Sequence, residues 1–254
     1  MNKEWFKEYF DDIYLEVNKE SVSFKRTEAE VDFIIESLKL DNTKIVLDLG
    51  CGWGRHSILV SKKVGCKIYA LDLSQTLLDY AKKEAEKDKQ EIVWICGDMR
   101  DREKYPLDLD SIYCMFGTFG YFDDVENIKV LENISYSLKP NGLFLLELNN
   151  FYKLIKFLSP KDVSSLTFSN GEVVYVIDER ELLMFENKVR VNRKFFYLNS
   201  KKVVERNLII RNYTIPEIKS LFEKVGMKII EVYGDLKFNK PSIDSNKFYI
   251  LAQK

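Results

Sequence analysis

Apolar positions change period several times along the chain, and each change marks an element. Phe6, Phe10, Ile13, Tyr14 and Val17 fall at helical spacing in the aromatic and acidic stretch from Trp5 to Glu16, which predicts a first helix. Thr27-Glu28-Ala29-Glu30 has the form of a capping box, so a second helix is predicted from Thr27 to about Lys39. Its apolar face is Val31, Ile34, Ile35 and Leu38. From Lys44 onward, short apolar runs alternate with amphipathic stretches. The runs Ile45–Leu49, Lys67–Leu71, Glu91–Cys96, Ser111–Met115 and Leu143–Leu148 read as buried strands. Helices are predicted to about Val64, through Leu77, Leu78 and Ala81 into the charged run Lys82–Lys89, and from Val125 to Leu138. Lys139-Pro140-Asn141-Gly142 is a turn signal.

After a short helix around Phe151–Phe157 the period drops to two. Glu172–Val176, Glu181–Phe185, Lys188–Tyr197 and Lys202–Ile210 alternate as antiparallel strands, with hairpin turns at Asn170-Gly171 and Glu186-Asn187. A helix at Ile215–Val225, stopped by Gly226, and strands Lys228–Tyr233 and Lys247–Gln253 complete the pattern. Repeated βα units imply an α/β fold: a doubly wound, mostly parallel seven-stranded sheet covered by helices on both faces, with an inserted antiparallel β-sheet. The expected organisation is an N-terminal helical lid over 1–40, a core formed by 41–150 and 211–254, and an insertion over 151–210. That insertion is expected to serve as a substrate lid or as a homodimer contact.

Composition narrows the class. The chain has 254 residues, 46% hydrophobic, and a formal net charge of −1, so no global field recruits nucleic acid or an anionic membrane. No apolar run approaches the roughly 20 residues that span a bilayer. The first residues are too charged for a signal segment. Cys51, Cys66, Cys96 and Cys114 form no C-x-x-C pair, so reduced thiols and no metal site are expected. These features predict a cytoplasmic protein acting on a small molecule.

The chemistry centres on VLDLGCGWGRHS, Val46 to Ser57. A strand breaks into Gly50, Gly52 and Gly54 and then becomes a helix, a form that lets backbone approach a ligand beside a helix N-terminus. The dinucleotide fingerprint G-x-G-x-x-G fits at Gly50 and Gly52 but meets Arg55 at its third glycine. Asp72 ends the next strand, where an acid can accept both ribose hydroxyls. Together these favour an adenosine-containing ligand and leave both NAD and S-adenosylmethionine open.

The ordered set VLDLGCGWG, ALDLS, CGDMR and LKPNGLFLLEL resembles the class I S-adenosylmethionine-dependent methyltransferases, strongly over Thr27 to Leu148. RNYTIPEIKSLFEKVGMKIIEVYGD looks like the last helix and sixth strand of small-molecule members. The strings GRHS, GDMR and FGTFGYFDD also resemble that metabolite group. The resemblance implies a Rossmann-like methyltransferase fold that binds S-adenosyl-L-methionine and methylates a nitrogen or oxygen of a small-molecule metabolite. It implies that Asp48 and the Gly50–Gly54 backbone, Gly50, Cys51 and Gly52 foremost, surround the methionine part. Asp72 and Leu73 would meet the ribose and adenine, and Gly97, Asp98 and Met99 the adenine edge. Phe116 and Gly117 would border the ammonium group and methyl, and either Arg26 or Arg55 would pair with the carboxylate. A nicotinamide oxidoreductase and a catalytically silent methyltransferase-like subunit are the alternatives.

Methyl transfer needs approach geometry and, for a protonated acceptor, a base. Tyr14, Tyr121 and Tyr213 are the candidate orienting hydroxyls, and Arg211 is a candidate clamp for an acceptor carboxylate or phosphate. The only histidine, His56, is expected to pack or hydrogen-bond beside the cofactor rather than to act as base. Arg190, Arg193, Lys194 and Arg206 read as the solvated face of the insertion.

Overall fold

The computed structural model describes residues 4–254; residues 1–3 of the expected lid lie outside the described residues. In chain order the elements are α1 (Phe6–Tyr9), α2 (Asp12–Ser21), α3 (Phe24–Leu38), β1 (Ile45–Leu49), α4 (Arg55–Val64), β2 (Lys67–Asp72), α5 (Gln75–Lys87), β3 (Ile92–Cys96), β4 (Leu109–Cys114), α6 (Asp124–Ser137), β5 (Leu138–Asn149) and α7 (Phe151–Phe157). The inserted strands β6 (Lys161–Thr167), β7 (Val173–Leu183), β8 (Lys188–Tyr197) and β9 (Val203–Arg211) follow, and α8 (Ile215–Lys224), β10 (Lys228–Tyr233) and β11 (Lys247–Gln253) close the fold.

The main sheet has the order β10-β11-β5-β4-β1-β2-β3. Only β11 runs against its neighbours; the other pairs are parallel. The seven-stranded α/β architecture is therefore the expected one. Alternation along β1 shows why both faces are covered. Val46 packs with Val31, Ile34, Leu38 and Val60 of α3 and α4. Leu47 and Leu49 pack on the opposite face, in the layer holding Leu131 and Ile134 of α6 and Ile218 and Phe222 of α8. All three are fully buried.

The departures have local causes. The first helix is broken at Phe10–Asp11, because the Asp11 carboxylate accepts from Ile13 N and Tyr14 N and starts α2 afresh. The second begins a turn before Thr27, since Ser23 Oγ caps it by accepting from Arg26 N. The expected capping box is therefore inside the helix, and Glu30 is turned to another use. The run Lys82–Lys87 stays helical because Ala81 and Ala85 extend a buried stripe beneath it. The Lys139–Gly142 turn signal becomes an irregular start to β5, with Asn141 at φ 65°. In the insertion, β6 was not legible because Lys161–Thr167 lies mostly exposed at a sheet edge without apolar alternation, and β7 joins two predicted strands into one.

The inserted sheet, order β6-β7-β8-β9, is wholly antiparallel. Its three hairpins turn at Gly171 (φ 84°), Asn187 (φ 49°) and Lys201 (φ 54°). One face packs Val174, Phe195 and Tyr197 on Val17 of α2. Arg193 Nη1 donates to Tyr9 Oη at 2.8 Å, and Arg206 pairs with Asp11. The insertion thus holds α1 and α2 against the main sheet.

Candidate functional site

The β1–α4 loop forms one wall of a cavity at the C-terminal ends of the parallel strands, where doubly wound sheets bind ligands. Gly50, Gly52 and Gly54 all have positive φ (75°, 55° and 76°). They are not equivalent. A Cβ on Gly50 would overlap the Thr118 methyl, and one on Gly54 would lie 2.6 Å from Trp94 and 2.8 Å from Ala81. Those two glycines permit close packing. Gly52 alone faces open space, its nearest neighbour being Leu77 at 4.0 Å, so it is the glycine that leaves room for a ligand.

Asp72, at the end of β2, accepts from Gly52 N (2.7 Å) and from Ser74 N (2.8 Å), and burial pushes its carboxyl above the ordinary range. Each oxygen keeps lone-pair capacity toward the cavity. Asp48 on β1 accepts from Ser57 Oγ at 2.6 Å, and burial pushes it up to about 7. Asp98, after β3, is gripped by Arg100, whose Nε and Nη2 lie 3.0 and 2.6 Å from its two oxygens. Burial opposes ionisation of Asp98, but Arg100 holds its carboxyl below the usual range. Arg100 also pairs with Glu126 and stacks over Phe122 and Phe6 at 4.5 and 5.4 Å, which fastens α1 across this end of the cavity.

The opposite end is built around Glu30, buried on α3. Its carboxylate meets Arg26 Nε (2.9 Å), His56 Nε2 (2.9 Å) and Arg55 Nη1. Burial resists its ionisation, yet the His56 hydrogen bond and the Arg55 charge hold it well below the usual carboxylate range. Burial and the neighbouring Arg55 lower His56, so the imidazole is neutral at pH 7. Thr27 Oγ1 accepts a second bond from Arg55 Nη1 at 3.0 Å. Arg55 Nη2 is buried without a partner among the described residues, while the guanidinium faces the rings of Phe116 (4.8 Å) and Trp53 (5.6 Å). Phe116 sits at φ 62° after β4, held there by its N–H donating to Glu147 Oε2 at 3.0 Å.

The cavity brings together most of the residues expected from sequence: Tyr14, Asp48, Gly50, Cys51, Gly52, Arg55, Asp72, Leu73, Gly97, Asp98, Met99, Phe116 and Tyr121, with His56 beside them. About 750 Å³ of space lies between these residues, open solvent at the mouth included. Four expected residues are not brought to its wall. Arg26 is half-exposed and reaches it only through Glu30 and the Phe116 ring, 5.0 Å away. Gly117 lies behind Phe116, on the side of Lys247. Tyr213 is buried against Phe119, donating to Asp124 (2.8 Å) and accepting from Asn127 (2.9 Å). Arg211 is spent on Asp124, Glu217 and the Asn212 carbonyl, and stacks 4.2 Å over Tyr213. Arg193 and Arg206 turn inward, Arg193 to Asp178; Arg190 and Lys194, on the other face, pair with Glu181 and Glu179.

The sequence assigned Glu30 only to a capping box, and no motif gave the side chains of Arg100, Trp53, Thr118 and Glu147 a place in the site. Glu30 carried a signal: with Thr27 it lies on the helical face of Val31, Ile34 and Leu38, where an unpaired acid would not be buried. A second cavity, under the inserted sheet, is lined by Asn149, Asn150, Lys153, Asp178, Arg193 and Asn212 among others.

Residues 46–142 match the family model described as a methyltransferase domain. The chain is 25% identical over 240 residues to a glycine/sarcosine N-methyltransferase of Halorhodospira halochloris, covering 90% of this chain and 82% of that one. It shares its fold with an S-adenosylmethionine-dependent methyltransferase from Clostridium acetobutylicum (TM-score 0.78, 22% identity, 95% and 96% of the two chains). The same holds for CalS10, an amino pentose methyltransferase from Micromonospora echinaspora (TM-score 0.71, 17% identity, 95% and 96%). The family match and the missing third fingerprint glycine set aside the nicotinamide alternative. Fold, glycine loop and acids agree with these matches: the chain carries a methyltransferase domain and is an S-adenosylmethionine-dependent methyltransferase, with S-adenosylmethionine as its cofactor.

Proposed function

We propose that this enzyme methylates an amine nitrogen, or failing that a hydroxyl oxygen, of a small-molecule metabolite. The observation that carries the placement of the donor is the buried, unpartnered Arg55 Nη2 at one end of a cavity whose other end holds Asp72. A buried guanidinium nitrogen without an acceptor calls for one from a ligand. A cofactor carboxylate fits there, with Asp72 under the ribose hydroxyls and Gly52 beneath the chain between them. Arg55 rather than Arg26 is the residue for that carboxylate, since only Arg55 lines the cavity. Bound in this way, the sulfonium supplies an electrophilic methyl group, which an acceptor lone pair takes by in-line displacement.

The acceptor side is aromatic. Phe10 packs on Tyr14 and Tyr121 with ring centroids 4.9 and 5.5 Å apart, and Tyr14 lies 6.1 Å from Trp53. Such walls favour the uncharged form of an amine, whose lone pair is then free to attack, and exclude water. Burial pushes the Tyr14 and Tyr121 phenols well up, so both stay protonated at neutral pH and act by orienting the acceptor, not as bases. α1 and α2 serve as the lid, and the insertion that clamps them completes the acceptor compartment. The N-methyltransferase relative and the amino pentose methyltransferase support the choice of nitrogen.

The test is S-adenosylhomocysteine release across matched panels of small amines and alcohols. Turnover confined to amines supports the reading. Turnover of alcohols alone moves it to oxygen, and methylation only of protein or RNA overturns it.

A further inference from the structure

We infer that Glu30 is a positioning residue: it aims the Arg55 guanidinium at the amino-acid end of the cofactor, so that the site selects ligands carrying a free carboxylate. The inference rests on the cofactor placement proposed above and adds a residue that no sequence motif nominates.

Three side chains converge on Glu30. Its carboxylate, only 2% exposed, ties α3 to the start of α4 through Arg55 and His56, and it also holds Arg26. Arg55 has one terminal nitrogen fixed by Glu30 and Thr27 and the other left without a partner. Rings of Phe116 and Trp53 cover the guanidinium, so it has little freedom to swing away. A planar fork held by one terminal nitrogen points the other in a fixed direction. His56 completes the frame: with its imidazole neutral, Nε2–H donates to Glu30, and the pair adds no charge beyond that of the carboxylate.

Charge and geometry predict opposite effects for the same substitution. Glu30 is an anion beside the place assigned to another carboxylate. If it acted only through its field, removing the charge would leave Arg26 and Arg55 unopposed and tighten anion binding. If it acts by positioning, Glu30→Gln must weaken binding, because a glutamine offers one acceptor oxygen and turns an amide donor against Arg55 or His56.

The experiment compares S-adenosylhomocysteine with 5′-methylthioadenosine, which shares the adenosine and sulfur but lacks the amino acid. Calorimetric titration of wild type, Glu30→Gln and Thr27→Val gives the two affinities for each. The expected result is a loss of about tenfold or more for S-adenosylhomocysteine in Glu30→Gln, and a smaller loss in Thr27→Val, the size of one hydrogen bond to a charged group. Methylthioadenosine affinity should stay within about twofold, which also shows that the variant site is folded. In turnover, KM for S-adenosylmethionine should rise while kcat holds. Unchanged or tightened S-adenosylhomocysteine binding, or equal weakening of both ligands, overturns the inference. If Glu30→Gln does not fold, Thr27→Val alone decides by the same selectivity. A wild-type enzyme with no preference for S-adenosylhomocysteine over methylthioadenosine overturns the carboxylate placement itself, whatever the Glu30 variants do.

Discussion

The Gly52 N–H donates to Asp72 Oδ2 at 2.7 Å, which ties the glycine loop after β1 to the acid that ends β2 before any ligand is present. The second oxygen of Asp72 holds Ser74 N, so the same carboxylate shapes the loop and the start of α5. The group proposed to meet the ribose is thereby fixed by backbone donors on two sides. The cofactor does not have to order it.

Asp72→Asn tests this directly. The amide can accept at one oxygen only and sets an NH2 against the other backbone donor. Hydrogen bonds to charged groups contribute about 1.5–3 kcal/mol. S-adenosylhomocysteine affinity should therefore fall about tenfold to a hundredfold, with a measurable drop in the melting temperature of the ligand-free protein. Loss of affinity at an unchanged melting temperature would mean that Asp72 serves the ligand but does not order the loop.

The three loop glycines should respond differently to alanine. Gly52→Ala places a methyl in the only open space among them, at a φ of 55°. It should abolish cofactor binding at a stability cost of about 1–2 kcal/mol. Gly65, which ends α4, also has positive φ and nothing within 4 Å of a built Cβ. Gly65→Ala should carry a similar stability cost and leave cofactor affinity at the wild-type value, measured by titration alongside thermal melts.

Stability between pH 5 and 7 should depend on two buried groups with opposite signs. Folded Asp48 keeps its proton up to about 7, whereas the unfolded chain releases it near 4, so this group makes the fold less stable as pH rises through that interval. Folded His56 titrates below its ordinary 6.5, so below that pH the unfolded chain takes up a proton that the fold disfavours, and stability falls as pH falls. Asp48→Asn should make the melting temperature climb more steeply from pH 5 to 7 than in wild type. His56→Gln should make it climb less or decline. Parallel curves for all three proteins would contradict both assignments.

How much of this was readable beforehand follows from where each signal resides. The central strands of the main sheet are apolar runs buried on both faces, so Val46, Leu47 and Leu49 announce β1 whatever surrounds them. Gly52, Asp72 and Asp98 were legible for a similar reason, since the loops after β1, β2 and β3 deliver them to one cavity in chain order. The edge strand β6 was not, because an exposed strand has no burial pattern to impose. Glu30 was misread because a capping box and a buried ion cluster can share the same four letters. The earlier N-cap at Ser23 decided between them, and its advantage depends on Arg55 and His56 reaching α3 from more than twenty residues away.

Arg211 makes the same point from the other side. Proximity to Tyr213 suggested a clamp for an anionic acceptor, but the guanidinium is engaged by Asp124, Glu217 and the Asn212 carbonyl. Asp124 starts α6 and Glu217 completes the capping box of α8 with Thr214. Arg211 N also donates to Gly120 O at 2.8 Å, where a Cβ would overlap the Arg211 carbonyl, so the end of β9 is pressed onto the loop that carries Tyr121. Arg211→Ala should thus leave two carboxylates without their shared cation and lower the melting temperature by several degrees, at a cost of about 1–3 kcal/mol. Among active molecules, KM for the acceptor should change less than twofold. A rise of tenfold or more in acceptor KM at unchanged melting temperature would restore Arg211 to the acceptor site.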